Sequence, residues 1–155
     1  MALIDKEAEF SATQLVTATA ISTNVIDLQA GGALYAPTLQ NIGAGEPVFL
    51  HILVTGVVTA AGAATVVFSL ESDSTADLNT SATVHWASAA IGKATLVAGY
   101  NVIKLALPDA KTYERYLGVR YTVATGPLTS VSSFSAWLSR GKQNKDVYAS
   151  GSVIL

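Results

Sequence analysis

The chain has 155 residues, no cysteine and a formal net charge of −2. Hydrophobic residues make up 50%, enough for the core of one domain and too many for wholesale disorder. These figures exclude a disulfide framework and a thiolate metal site, and they offer no concentrated basic face of the kind nucleic acid requires.

Charge is scarce as well as balanced. Only 13% of residues are Asp, Glu, Lys or Arg, about half the ordinary share of a soluble domain. After Lys6 no basic residue occurs until Lys93, while Glu7, Glu9, Asp27, Glu46, Glu71, Asp73 and Asp77 accumulate. Beyond Lys93 the balance reverses. This order allows complementary acidic and basic patches, or a mixing of the two signs if the strands interleave. A free monomer normally surrounds itself with charge, so a surface of Ser, Thr, Ala and Gly implies faces covered by neighbours.

Taken in chain order, Met1 to Phe10 carries Asp5, Lys6, Glu7 and Glu9 where a signal peptide needs an apolar core. Synthesis in the cytoplasm is expected. Residues 1–14 read as an N-terminal arm, 15–138 as a β-sandwich domain and 139–155 as a C-terminal arm. Asn24 to Leu28 is a short predicted strand. Val48, Leu50, Ile52 and Val54 share one face of a second strand, with Phe49, His51 and Leu53 on the other. The run Pro47 to Val58 is far short of the roughly 20 residues that span a bilayer, and no membrane partner is expected.

The near-palindrome Val57 to Val67, centred on Gly62, predicts a hairpin. Its return arm points Val66, Phe68 and Leu70 inward, and Ser72 to Ser81 reads as a surface loop. Thr83 to Trp86 reads as a strand, with a helical turn as the alternative through Ala90. Alternation then places Ile103, Leu105 and Leu107 inside one strand, which Pro108 stops. It buries Leu117, Val119, Tyr121 and Val123 in the next, and Phe134, Ala136 and Leu138 in the last. Seven or eight short strands with Gly/Pro turns indicate an all-β antiparallel sandwich or barrel.

Reactive chemistry is thin. Only His51 and His85 could serve as a base; His51 reads as a packed structural histidine and His85 as structural or at a surface. No nucleophile elbow, His-Glu-x-x-His or phosphate loop occurs. Asp73, Thr75, Asp77 and Asn79 alternate like calcium ligands but lack the sharp-turn glycine and terminal glutamate of an EF-hand. No enzyme activity, cofactor or metal is expected. Trp86, Trp137, Tyr100, Tyr113, Tyr116 and Tyr148 could form a sugar-stacking strip, although such rings more often anchor cores or interfaces. Trp137 has the opposite parity to Phe134 and Leu138, which points it toward solvent or a partner. The segment after Ser139 is basic, then apolar at Val153-Ile154-Leu155, the composition of an arm that docks.

Several segments together resemble one family. They are Asp5 with Phe10-Ser11, Ser22 to Leu28, Gly45-Glu46-Pro47, Ala60 to Thr65, Thr95 to Tyr100, Glu114 to Leu117, and Tyr121 to Pro127. In order and spacing they resemble the jelly-roll capsid cement (decoration) proteins of tailed bacteriophages, the family typified by the Bordetella phage cement protein. The resemblance implies a jelly-roll sandwich on the outer surface of an icosahedral head, bridging neighbouring major capsid proteins. It implies no catalytic residues. Closed self-association is expected, a homodimer first and a homotrimer second. Candidate contacts to capsid or subunit are Lys6, Phe10, Trp137, Arg140, Lys142, Lys145, Tyr148 and Ile154. The alternative is a carbohydrate-binding or adhesive β-sandwich module of a phage or cell-surface structure.

Overall fold

The computed structural model describes residues 5–29, 42, 47–107 and 112–141. After a single 3-10 turn (Lys6–Ala8), the chain forms β1 (Glu9–Leu15), β2 (Ala20–Ile21), β3 (Ile26–Asp27), β4 (Phe49–Gly56) and β5 (Thr65–Asp73). There follow β6 (Thr83–Ala87), β7 (Ile91–Gly92), β8 (Asn101–Ala106), β9 (Tyr116–Ala124) and β10 (Ser133–Ser139). No α-helix occurs among the described residues.

One sheet has the order β1-β10-β4-β8 and the other β2-β9-β5-β6. β3 continues the line of β2 along β9, and β7 continues that of β6 along β5. Counting each broken edge strand once leaves eight strand positions, ordered 1-8-3-6 and 2-7-4-5. Every named pair is antiparallel. The chain changes sheet at every connection except β5 to β6. That is a jelly roll.

Alternation explains the faces. Leu50, Ile52 and Val54 of β4, Val66, Phe68 and Leu70 of β5, Leu117, Val119 and Tyr121 of β9, and Phe134, Ala136 and Leu138 of β10 are all buried in one cluster. At its centre Phe134 crosses from one sheet to meet two rings of the other. It lies edge-on to Phe68 with centroids 5.2 Å apart and stacks on Tyr121 at 5.3 Å. The Tyr121 hydroxyl donates to Ser11 Oγ at 2.9 Å, so a buried polar atom ties β9 to β1 and remains satisfied. Burial pushes the Tyr121 phenol above its ordinary pKa, and the Ser11 contact partly offsets this.

Three expectations are corrected. The arm drawn as residues 1–14 contains β1, because Glu9–Leu15 pairs with β10 and its Phe10 is fully buried. The predicted hairpin over Val57 to Val67 is a crossover instead, because β4 and β5 lie in different sheets. Its backbone bonds go to other loops, as described below. The loop expected from Ser72 begins two residues later, since β5 runs to Asp73. There the Asp73 carboxylate gathers the Ser81 and Thr75 N–H groups and the Ser74 and Ser81 hydroxyls. Burial would raise its pKa, but these donors outweigh it and hold the carboxyl below its ordinary value. The Asp73–Asn79 alternation thus builds a loop closed on its own backbone.

Candidate attachment surface

The strand directions bring four connections to the same end of the sandwich: residues 16–19, 57–64, 93–100 and 125–132. They are joined to one another by main-chain bonds. Val16 N–H donates to Ser132 O at 3.0 Å, Leu128 N–H to Thr17 O at 2.8 Å and Thr129 N–H to Thr59 O at 2.8 Å. Ala60 and Leu128 form an antiparallel bridge. Val58 N–H reaches Leu96 O at 3.1 Å, and Lys93 N–H reaches Ala64 O at 3.1 Å. Beneath them Val16, Val58, Ala64, Leu96 and Leu128 are buried in the core. Loops pinned in this way resist local opening. This end is a rigid cap.

Its outer side is apolar. Five large hydrophobic side chains are exposed among the described residues, and four of them lie at this end: Leu15 (62%), Val57 (49%), Val97 (50%) and Val131 (58%). Ser133 brings Leu15 and Val57 near each other, because it pairs with Leu15 on one side and with Gly56, next to Val57, on the other, and the Val131 carbonyl lies against Gly56. Single exposed apolar residues are ordinary, but a group of them marks a contact surface.

The same end is almost without charge. Residues 10–26, 47–70, 94–103 and 121–139 contain no Asp, Glu, Lys or Arg. Among the described residues only Lys93 reaches the cap, and its ammonium donates to Ala60 O at 2.6 Å. The remaining described charges lie in the middle of the strands or toward the opposite end. There the acidic first half and basic second half interleave. Arg115 donates to both Asp27 oxygens at 3.0 and 2.9 Å, and Arg120 Nε donates to Glu71 Oε2 at 2.7 Å. The Arg115 guanidinium, helped by the Gln29 N–H, holds the Asp27 carboxyl below its ordinary range. The segregation is therefore charged against uncharged, with the two signs mixed.

The sequence-predicted contact residues are not brought together at the cap. Lys6 is exposed on the 3-10 turn and pairs with Glu9. Phe10, expected as a contact, belongs to the core because β1 turns it between the sheets. Trp137 does have the opposite orientation to Phe134, but it is only 7% exposed and stacks on His51 at 5.3 Å. It is packing on the outer side of the sheet. Arg140 is exposed just beyond β10. Lys142, Lys145, Tyr148 and Ile154 lie outside the described residues. Leu15, Val57, Val97 and Val131 were not singled out by the sequence, and the charge-free runs around them were the available signal.

Both histidines have structural surroundings. His85 Nε2 lies 2.7 Å from Ser72 Oγ, which also accepts the Glu114 N–H at 3.0 Å. Ser72 is fully buried, so this serine–histidine contact joins β5 to β6 and to the start of β9 without presenting a nucleophile. His51 Nε2 lies 2.9 Å from Ser139 Oγ, whose own proton goes to Gly141 O at 2.6 Å. Nε2 therefore carries the proton of the neutral ring. Burial, and then Lys104 across the β4–β8 pair, lower the His51 pKa from 6.5, with Gly141 partly opposing.

The sign of the consequence follows. The unfolded chain takes up this proton first, so the His51 contribution to stability is complete above pH 6.5 and is lost as pH falls through the lowered folded value. The urea midpoint of the native protein should decline below about pH 6.5. His51→Phe, which keeps a ring on Trp137, should make that decline shallower. Identical profiles for the two proteins would contradict the assignment.

No aromatic ring is exposed among the described residues: Trp137, Tyr113, Phe10 and Tyr121 are buried, while Trp86, Tyr100 and Tyr116 are half-buried. Tyr148, the remaining ring of the expected sugar-stacking strip, lies outside the described residues. No helix among the described residues is long and apolar enough to cross a membrane.

The family model Bbp16 aligns with residues 10–138; no curated protein matches the chain. The aligned segment starts in β1 and ends in β10, so it takes in both sheets, the four-loop cap and the ion pairs behind it. The chain belongs to the Bbp16 family, a family of Bordetella phage proteins.

Proposed function

We infer that the protein is a capsid cement protein: it binds the outside of an assembled phage head and bridges neighbouring major capsid proteins. The observation that carries this reading is a rigid, nearly uncharged, apolar-studded end on a β-sandwich of a phage family. Such an end suits contact with another protein surface and lacks the groups for chemistry, and no enzymatic role is proposed. A homodimer is the proposed form, because closed twofold assemblies are the commonest and suit the symmetry axes of a head.

The mechanism is linkage. A ligand that binds only the assembled shell lowers the free energy of that state by its binding energy. Copies spanning two capsomers must be released before the capsomers part. Many copies acting together make modest individual affinities sufficient.

The test uses heads of the cognate phage prepared without this protein. Purified protein should co-sediment with the heads and raise the temperature at which they burst. Heads that stay bare at saturating protein, and burst at an unchanged temperature, would overturn the reading.

A further inference from the structure

We propose that the four-loop cap is the face that seats on the shell, and that its partner is an uncharged, apolar and hydroxyl-bearing patch of the assembled capsid surface. This inference rests on the cement reading and adds which end attaches and by what chemistry.

Three observations choose the occupant. The first is charge. The cap offers no described charge except Lys93, whose ammonium is already held by Ala60 O. Away from Lys93, a charged partner group pressed against it would lose its water without compensation, which is costly. A matching surface is therefore uncharged over most of its area.

The second is size. Strands about 4.8 Å apart and sheets about 10 Å apart give a sandwich end of four strand pairs an area of about 400 Å² with its loops. A stable two-body interface needs about 800 Å² per partner. The cap is too small to hold a pair of free copies end to end. It is adequate as one of many simultaneous contacts on an ordered array.

The third is polarity. If the cap faces the shell, the end carrying Asp5, Glu7, Asp77, Glu114 and Arg115 faces water and keeps the decorated particle soluble. The reverse orientation would bury these charges and expose Leu15, Val57, Val97 and Val131. Main-chain bonding between the loops also reduces the ordering cost on docking.

The experiment compares one substitution at several exposed valines. Val97→Asp and Val131→Asp lie on the cap. Val84→Asp is the control, since Val84 is equally exposed but lies on β6 opposite Glu71, away from the cap. Each variant is checked for an unchanged melting temperature and titrated against undecorated cognate heads. Val97→Asp and Val131→Asp should each weaken binding at least about tenfold, with Val84→Asp within about twofold. Native binding should change by less than about threefold between about 50 and about 500 mM salt, because little of it is electrostatic.

Cap variants that bind like the native protein would overturn the proposal and leave the cement reading standing. A steep fall with salt would also overturn it. So would cap variants whose only defect is loss of self-association in sedimentation, which would assign the cap to a second copy. Native protein that ignores the heads altogether would remove the cement reading itself.

Discussion

Phe134→Ala should destabilise the protein by about 3–5 kcal/mol, the range for truncating a large ring in a packed core. Phe134 is fully buried and is the ring through which one sheet meets Phe68 and Tyr121 of the other. Its removal leaves a cavity between two hydrogen-bonded sheets, which cannot collapse without breaking their ladders. Since domains of this kind have about 5–15 kcal/mol in total, the variant should be largely unfolded at modest urea. Phe134→Leu keeps most of the volume and should cost about 1–2 kcal/mol. Urea denaturation checks both, and a loss below about 1 kcal/mol for the alanine variant would contradict the central role given to this ring.

Arg120→Met should cost a similar amount, about 3–5 kcal/mol, by leaving a buried carboxylate without its partner. Glu71 is buried and receives Arg120 Nε at 2.7 Å and the Ser69 hydroxyl at 2.6 Å. Arg120 also donates to the carbonyl of Leu78, a buried residue with a left-handed backbone at φ 50°. The pair thus holds the β5–β6 loop against β9. Replacing both partners, as Glu71→Leu with Arg120→Met, removes the stranded charge and should recover most of the loss. The comparison is made by urea denaturation at neutral pH. A double variant as unstable as Arg120→Met alone would show that the cost lies in lost packing and not in the unpaired carboxylate.

The strands that the sequence makes legible are those with unbroken alternation. In β4, β5, β9 and β10 each second side chain is an apolar member of the core cluster, so the period-two pattern marks the core face, although many of the residues between are buried as well. β1 escapes the same reading for a physical reason. Glu9, Phe10 and Ser11 are buried consecutively, Thr13 has a left-handed φ of 51°, and the register shifts twice against β10. A bulged edge strand loses its period.

The Val57 to Val67 segment shows the opposite error. Gly62 and the flanking β-branched residues have hairpin composition, but composition does not say which partners the arms choose. Trp137 shows that parity assigns a face and not its cover. The cap was least legible of all. Leu15, Val57, Val97 and Val131 are dispersed over more than a hundred residues of sequence, and only the jelly-roll connections bring them to one end. The charge-free surface that the composition reveals is real, but its concentration at that end is a property of topology.

Electron cryomicroscopy of undecorated cognate heads mixed with the purified protein tests attachment and orientation together. Added density is expected on the outer surface of the heads, with the loops bearing Val57, Val97 and Val131 against the shell and Asp77 and Arg115 toward solvent. Bare heads, or bound protein with its charged end against the shell, would contradict it.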